Sequence, residues 1–352
     1  MLTIITLEEA EKWDSIVKSF ENFDVYYLSG YTKAFEIHGD GQPMLIYYED
    51  EDIRAINVVM KRDIGMDKNF KEKIAPQTYF DLSTPYGYGG LLIEGRVKER
   101  SLARFDEMYS RYCLENNVIS EIVRFHPILG NAQRSTEVYE VVELGKTITI
   151  NVTSKDQLLN DMGSENRRCI RKAIKEGVEV YWGRSPQLID SFIPLYNATM
   201  HHAAAAEYYY FGSEFYNSIL HDLKNNSLLF YAVFENKVIA STIILLGTDQ
   251  MHGHLFGSDK EYQKLKILNL LVYETSRWGC ENGYKTFHLG GGLGAKEDGI
   301  FKCKKQFNKN SDTIFSIGKK IFNPEKYDEL RTIRDNDNPE INDSDFFPEY
   351  RK

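Results

Sequence analysis

Two stretches of this 352-residue chain repeat one plan, and that repetition limits what it can fold into. "PMLIYYED" and "IRAINVVMKR" are apolar runs on either side of the acidic turn Glu49-Asp50-Glu51-Asp52 and read as a strand hairpin. "SLARFDEMYSRYCLENN" follows with Leu102, Phe105, Met108, Tyr109 and Tyr112 at helical spacing and stops at Asn116-Asn117. "EIVRFHP" is then a strand that Pro127 ends, and "KTITINVT" is another. In the second half "SLLFYAVFENKVIASTIILLGTDQMHGHLFGS" reads as three strands, the first two joined at Glu235-Asn236-Lys237. "NLLVYETSRWGCENG" is an amphipathic helix ending at Gly283, and "KTFHLGG" is a strand. The pattern predicts an α+β chain of two similar domains, each a mixed sheet flanked by helices. The length also exceeds what one hydrophobic core usually serves. The expected division is 1–150, 151–330, and an acidic, Pro/Asn-rich tail over 331–352 that reads as loose.

A composition of 42% apolar and 27% charged residues is that of a soluble globular protein. No apolar run approaches the roughly 20 residues that span a bilayer. The opening "MLTIITLEEAEKW" turns acidic without a basic flank, so it is not read as a signal peptide. Cys113, Cys169, Cys280 and Cys303 show neither metal-ligand spacing nor a disulfide framework, and a reducing cytoplasm is the expected location. A net charge of -9 argues against DNA as a partner and leaves RNA only a local basic patch.

"HLGGGLGAKEDGIFKCKKQF", residues 288–307, is the segment richest in chemistry. Gly290, Gly292 and Ala295 satisfy a G-x-G-x-x-A spacing after a strand. A dinucleotide site also needs a helix that starts inside the motif, and "KEDG" with Gly299 reads instead as a turn. The glycines are better read as a strand end where backbone approaches another element or a ligand. Beyond them Phe301, Cys303 and Phe307 are expected inward, and Lys302, Lys304 and Lys305 partly exposed. A lysine fixed beside a buried aromatic can act as a point charge on a phosphate or a developing oxyanion; the alternative is a solvated basic face.

"QLLNDMGSENRRCIRKAIKEGVEVYWG" reads as a helical region, with Ser164 as a candidate N-cap, closed by Gly177. Arg167, Arg171 and Lys175, and likewise Arg168 and Lys172, recur at four-residue spacing. One face is therefore basic, either for phosphate or for solvent. In "YFDLSTPYGYGG" the Pro and Gly residues hold Tyr86 and Tyr88 on a rigid loop, to contact a sugar or peptide or to form a structural corner. His126 is either a proton carrier or a structural histidine, and His252 and His254 alternate on a strand and share a face. No metal-ligand spacing and no serine or cysteine nucleophile signature appears, so no metal site is expected.

Taken together, "NRRCIRKAIKEGVEV", "LYNATMHHAAAAEYYYF", "HLFGS", "WGCENGYKTFHLGGG" and "IFKCKKQF" resemble, in that order, segments of the FemABX-like transferases. They equally resemble a related acetyltransferase group of the GNAT superfamily. "DLSTPYGYGG" and "RFHPILGN" are similar to the first domain of the latter group, and the resemblance runs from about residue 20 to 325. It implies two GNAT-like domains packed around a cleft. It also implies acyl or aminoacyl transfer that forms an amide on an amine of a cell-wall or polysaccharide precursor. Lys302 would be the catalytic lysine and Phe301 its aromatic neighbour. Tyr86, Tyr88, Arg124, His126, Arg168, Arg171, Tyr208 and His254 would contact substrates. No tightly bound cofactor is implied; the donor would be aminoacyl-tRNA, acyl-carrier protein or acyl-CoA, and the acceptor a cell-wall or nucleotide-sugar precursor. The chain lacks the helical arm of the larger Fem proteins and reduces a first-domain pattern to "LSGYTK", so no role is carried over to Lys33. "YQKLKILNLL" has no glycine where a CoA-binding GNAT carries its pyrophosphate loop, which counts against CoA. The other readings are an acyl-CoA-dependent N-acetyltransferase acting on a sugar or peptide amine, and a non-catalytic module that binds a nucleotide-sugar or wall peptide.

Overall fold

Near-continuous apolar runs, buried along most of their length, build the first hairpin. β2 (Gln42–Glu49) follows β1 (Leu2–Ile5), α1 (Ala10–Lys18) and α2 (Ser29–His38), and pairs antiparallel with β3 (Ile53–Asp63). The acidic turn between them is organised by Asp50, whose carboxylate accepts the N–H groups of Asp52 and Ile53. β4 (Phe80–Ser83), β5 (Leu92–Gly95), α3 (Glu99–Glu115), β6 (Val118–Arg124) and β7 (Glu140–Lys146) complete this run. Phe105 and Tyr109 of α3 pack on Val59, Leu82, Val123 and Phe125 of the sheet.

The second run is β8 (Ile148–Asn151), α4 (Lys155–Asp161), α5 (Ser164–Lys175), β9 (Glu179–Gly183), α6 (Pro186–His202), α7 (Ser213–Asp222), β10 (Ser227–Phe234), β11 (Lys237–Leu246), β12 (Gln250–Ser258), α8 (Ile267–Glu281), β13 (Thr286–Gly290) and α9 (Gly299–Lys305). The chain ends in β14 (Ile314–Ile321) and α10 (Pro324–Asp337). The computed structural model describes residues 1–337 and 346–352. It is α+β, with two mixed sheets flanked by helices, in orders β1-β2-β3-β4-β6-β14-β7, with β5 also on β3, and β8-β13-β12-β11-β10-β9. In the second sheet's core Ile170 and Ala173 of α5 and Leu270 and Leu271 of α8 meet Phe230, Ile244, Met251 and Phe287.

The chain divides into unit 1, Met1–Leu144 with Phe315–Lys352, and unit 2, Gly145–Ile314. The expected second domain, 151–330, therefore runs too far. β14 pairs antiparallel with β6, so 315–330 belongs with the first sheet. The tail is not loose throughout either. Residues 338–345 lie outside the described residues, but the segment after them is anchored in unit 1. Tyr350 is buried, its hydroxyl 2.7 Å from Ser120 Oγ and 3.0 Å from Asp81 Oδ2. Arg351 donates to Asp81 and Asp67, and the Asn69 side-chain amide donates to the Tyr350 carbonyl.

Three local expectations also change. The basic helical region is two helices, and α5 is capped by Gly163 rather than by Ser164, because the chain turns there against Gln306. Gly299 does not break the chain; it opens α9, whose N-terminus is capped by the Asp298 carboxylate on the Phe301 N–H at 2.9 Å. Cys303 is exposed rather than turned inward.

Candidate functional site

Within unit 2 the two central strands separate. β12 and β13 run parallel and pair only at Gln250–Thr286, Met251–Phe287 and His252–His288. Beyond that point β12 continues to Ser258 along β11, while β13 stays on β8 to Gly290. Past His252 and His288 the two facing edges have no ladder partner among the described residues. Such an opening offers backbone donors and acceptors to an extended, amide-bearing chain. The rings of His252 and His288 stand edge to face at its apex, with centroids 5.9 Å apart. A bulge lies here: Ile243 pairs with Leu255 and Ile244 with Gly253, so His254 interrupts the alternation on which its shared face with His252 rested. Burial, reinforced by His252, lowers His254 to about 3. It is neutral at physiological pH and too weak a base to hold a proton there.

The glycine turn leaves β13 at the mouth of this opening. Gly290 has φ of +72°. A Cβ on Gly292 would collide with the Lys296 carbonyl and the Asp298 carboxylate, so backbone alone fits. Asp298 laces the turn to α9: Oδ2 accepts from the Leu293 N–H at 3.0 Å while Oδ1 caps the helix. Lys304 closes the lacing from the other end, donating from Nζ to the Gly291 carbonyl at 2.7 Å. Burial, only partly offset by Asp298, brings the Lys304 ammonium down to about 8. Sequence reasoning singled out Lys302 and passed over Lys304. The missed signal is position on the helix, since Lys304 lies on a different side of α9 from Lys302.

Lys302 is exposed and, with buried Phe301, lines a crevice of about 250 Å³ that Lys146, Glu297, Lys305 and Gln306 complete. Lys146 and Glu297 face each other across it at 3.7 Å. Arg168 and Arg171 are not among the residues that line it. Arg168 is exposed and paired with Glu165 at 2.7 Å, and Arg171 is exposed with no hydrogen bond or ion pair among the described residues. Ile170 and Ala173 take the core side of α5, which turns the basic side to solvent. Arg167 instead holds the preceding helix, donating to the carbonyls of Leu159 and Met162. Tyr208 sits half exposed in a short turn beside Tyr209 and Phe211.

The remaining expected residues form an aromatic cluster in unit 1. Tyr86 stacks on Phe35, and Tyr88 meets Tyr26, His126 and Phe315 edge on. Burial is the main cause that pushes Tyr88 up to about 12. Arg124 donates from Nε to the Gly87 carbonyl at 2.9 Å and lies over the rings of Tyr88 and Phe315. Buried His126 accepts the N–H groups of Ile128 and Leu129 at Nδ1. Its proton therefore resides on Nε2, 3.5 Å from the buried Asp24 carboxylate. Nδ1 is thus committed to backbone within unit 1.

The family profile described as "Acetyltransferase (GNAT) domain" matches residues 163–298, a span that contains α5, β9–β13 and the glycine turn. No curated protein matches the chain. Among solved structures, FemX is similar with a TM-score of 0.67 at 12% identity, over 94% of this chain and 99% of FemX. The C-terminal DUF2156 domain of an Agrobacterium fabrum protein assigned as a lysylphosphatidylglycerol synthetase is similar with 0.56 at 11% identity, over 91% and 93%. A tandem GNAT protein from the clavulanic acid biosynthesis pathway is similar with 0.52 at 7% identity, over 92% and 99%. No helix among the described residues is long and apolar enough to cross a membrane. Residues 163–298 thus match a GNAT acetyltransferase domain, in a chain whose fold is like that of FemX and of a tandem GNAT protein, which supports an acyltransferase.

Proposed function

We propose that this acyltransferase forms an amide on an amine of a cell-wall or polysaccharide precursor, taking an aminoacyl or acyl group from a phosphate-bearing carrier. The observation that carries the reading is the opening between β12 and β13, with the laced glycine turn and α9 at its mouth. An extended donor arm can lie along the unpaired edges, which would bring its ester or thioester carbonyl to the turn. The acceptor nitrogen then attacks that carbon. A C–N bond forms, the carbonyl π pair moves onto oxygen, and collapse expels the ester oxygen or thiol sulfur with the C–O or C–S pair. The proton lost by the amine ends on that leaving group. No side-chain nucleophile is needed; holding the two reactants in contact supplies much of the acceleration.

Charge supports an anionic donor at unit 2. It holds 20 Lys and Arg against 18 Asp and Glu, net +2, which leaves −11 of the chain's −9 on unit 1. Lys302, exposed at the crevice with Phe301 behind it, would hold donor phosphate as a point charge. The turn before α8 supports a donor other than CoA. Residues Lys260–Leu265 form a short 3-10 helix without glycine, and Lys266 enters the left-handed region at φ +61°. The turn presents Lys260, Lys264 and Lys266 rather than a glycine-lined cradle. The resemblance of the sequence segments to FemABX-like transferases favours aminoacyl-tRNA among the carriers. Tyr86, Tyr88 and Arg124 are the proposed acceptor contacts.

The test is a mass-spectrometric product screen. It offers aminoacyl-tRNA, acyl-carrier protein and acetyl-CoA in turn, with a nucleotide-linked muramyl peptide as acceptor. Amide product is expected from the tRNA donor, and Lys302→Ala should lower kcat/KM by at least about tenfold, near 1.4 kcal/mol of transition-state stabilisation. Product from micromolar acetyl-CoA and none from aminoacyl-tRNA would refute the donor assignment. A nonproductive but tight complex with the acceptor, unaffected by Lys302→Ala, would favour a binding module.

A further inference from the structure

The tie between Lys304 and the glycine turn fixes more than the position of α9. A trans peptide is planar, with its C=O and N–H pointing in opposite directions. Lys304 Nζ holds the carbonyl of Gly291. The N–H in that same plane belongs to Gly292, so it must point away from Lys304. No residue among those described accepts a hydrogen bond from it. The next N–H, on Leu293, is already taken by Asp298 Oδ2. The half-buried Gly292 therefore presents a donor whose direction is set by a lysine on the other side of the peptide. Without that lysine, a peptide between two glycines can flip at little steric cost.

We infer that Lys304 is a positioning residue: it orients the Gly291–Gly292 peptide so that the Gly292 N–H donates to the oxyanion formed during acyl transfer. This rests on the transfer reaction proposed above and adds to it the group that receives the charge. As the amine attacks, the carbonyl oxygen takes the π pair and the Gly292 N–H stabilises it. When the intermediate collapses the pair returns and the leaving group departs. The N–H donates a hydrogen bond throughout and transfers no proton. A backbone donor fixed before reaction pays no reorganisation cost as the charge develops, which is why such groups are effective. Asp298, the charged group that faces Lys304, holds the same turn in register and lowers the cost of burying the ammonium.

The experiment compares wild type, Lys304→Met and Lys304→Arg with an oxygen ester donor and with its thionoester, whose sulfur accepts hydrogen bonds poorly. Lys304→Met is expected to lose about 10²–10³ in kcat with KM little changed, the loss typical of one oxyanion donor. Lys304→Arg should recover part of the rate. Wild type should discriminate strongly against the thionoester, and Lys304→Met should not. Amide exchange and the ¹⁵N shift of Gly292 should change in Lys304→Met and not in Lys304→Arg. The inference is overturned if Lys304→Met keeps the wild-type kcat, if it loses rate but retains the full thio effect, or if the Gly292 amide is unmoved. If wild type transfers nothing from any donor, the proposed function fails. The Gly292 amide still reports whether Lys304 orients the peptide.

Discussion

Arg351→Ala is expected to destabilise unit 1 by about 3 kcal/mol, the lower end of what removing one partner of a buried ion pair costs. Asp81 is fully buried and receives Arg351, Arg62 and the Tyr350 hydroxyl. Burial alone would raise its carboxyl; the two guanidinium groups outweigh that and hold it below the usual carboxylate range. Taking Arg351 away leaves a buried anion with one cation, and leaves Asp67 without its 3.0 Å partner. Arg62 limits the damage, which is why the lower end is expected. The sign of the pH dependence follows from the depressed carboxyl. The stabilisation is complete above the unfolded value and is lost as pH falls through the folded one, so wild type loses it in acid and the variant has less to lose. Urea unfolding of the unit 1 transition measures the effect, and a loss below about 1 kcal/mol would mean that the C-terminal anchor is not held by this pair.

Gly257→Ala is the second large effect, at about 3 kcal/mol, and it bears on the site directly. Among the described residues β12 has no partner on its β13 side beyond His252, and α6 supports it from one face. The support is close: a Cβ on Gly257 would meet the Tyr196 backbone nitrogen and lie 2.6 Å from the Leu195 carbonyl carbon. These are helix backbone atoms and cannot rotate aside. Thr199 fixes the same junction, its hydroxyl accepting the Ser258 N–H at 2.9 Å. An added methyl must lift α6 from the strand or distort the open edge. Denaturant unfolding of Gly257→Ala, with transfer assayed on the folded fraction, measures both. Wild-type stability with wild-type rate would show that α6 and β12 can part without consequence.

Most elements were legible because their signals are local. The two hairpins and the strand before the glycines follow from short apolar runs, the amphipathic α3 and α8 from a period of 3.6, and all of them from the residues that stop them. What was not legible depends on partners distant in sequence. Lys304 is one of several similar lysines in "IFKCKKQF", and only the return of α9 onto Gly291 sets it apart. Gly299 reads as a breaker unless Asp298 is seen to cap the helix. The basic face of α5 is visible in sequence, but whether it faces a ligand or solvent depends on what covers it, and none of its basic residues lines the crevice that Lys302 lines. His254 escaped because a bulge breaks strand alternation without any sequence mark in the strand itself. Glu121 reads as an ordinary strand residue, yet it is buried and accepts hydrogen bonds from Asn57, Tyr109 and Tyr139. The strand that completes the first sheet, β14, comes from the far end of the chain, so no boundary drawn along the sequence could place it.

The claim on which the account depends is that transfer takes place where β12 and β13 part. Photolabelling with 3′-aminoacyl-adenosine carrying a diazirine in its acyl chain tests that placement, with labelled peptides read by mass spectrometry. Label on residues 253–258 and 288–306, competed by the unmodified aminoacyl ester, is the predicted result. Competed label confined to residues 1–144, with none on either strand edge or the glycine turn, would contradict it.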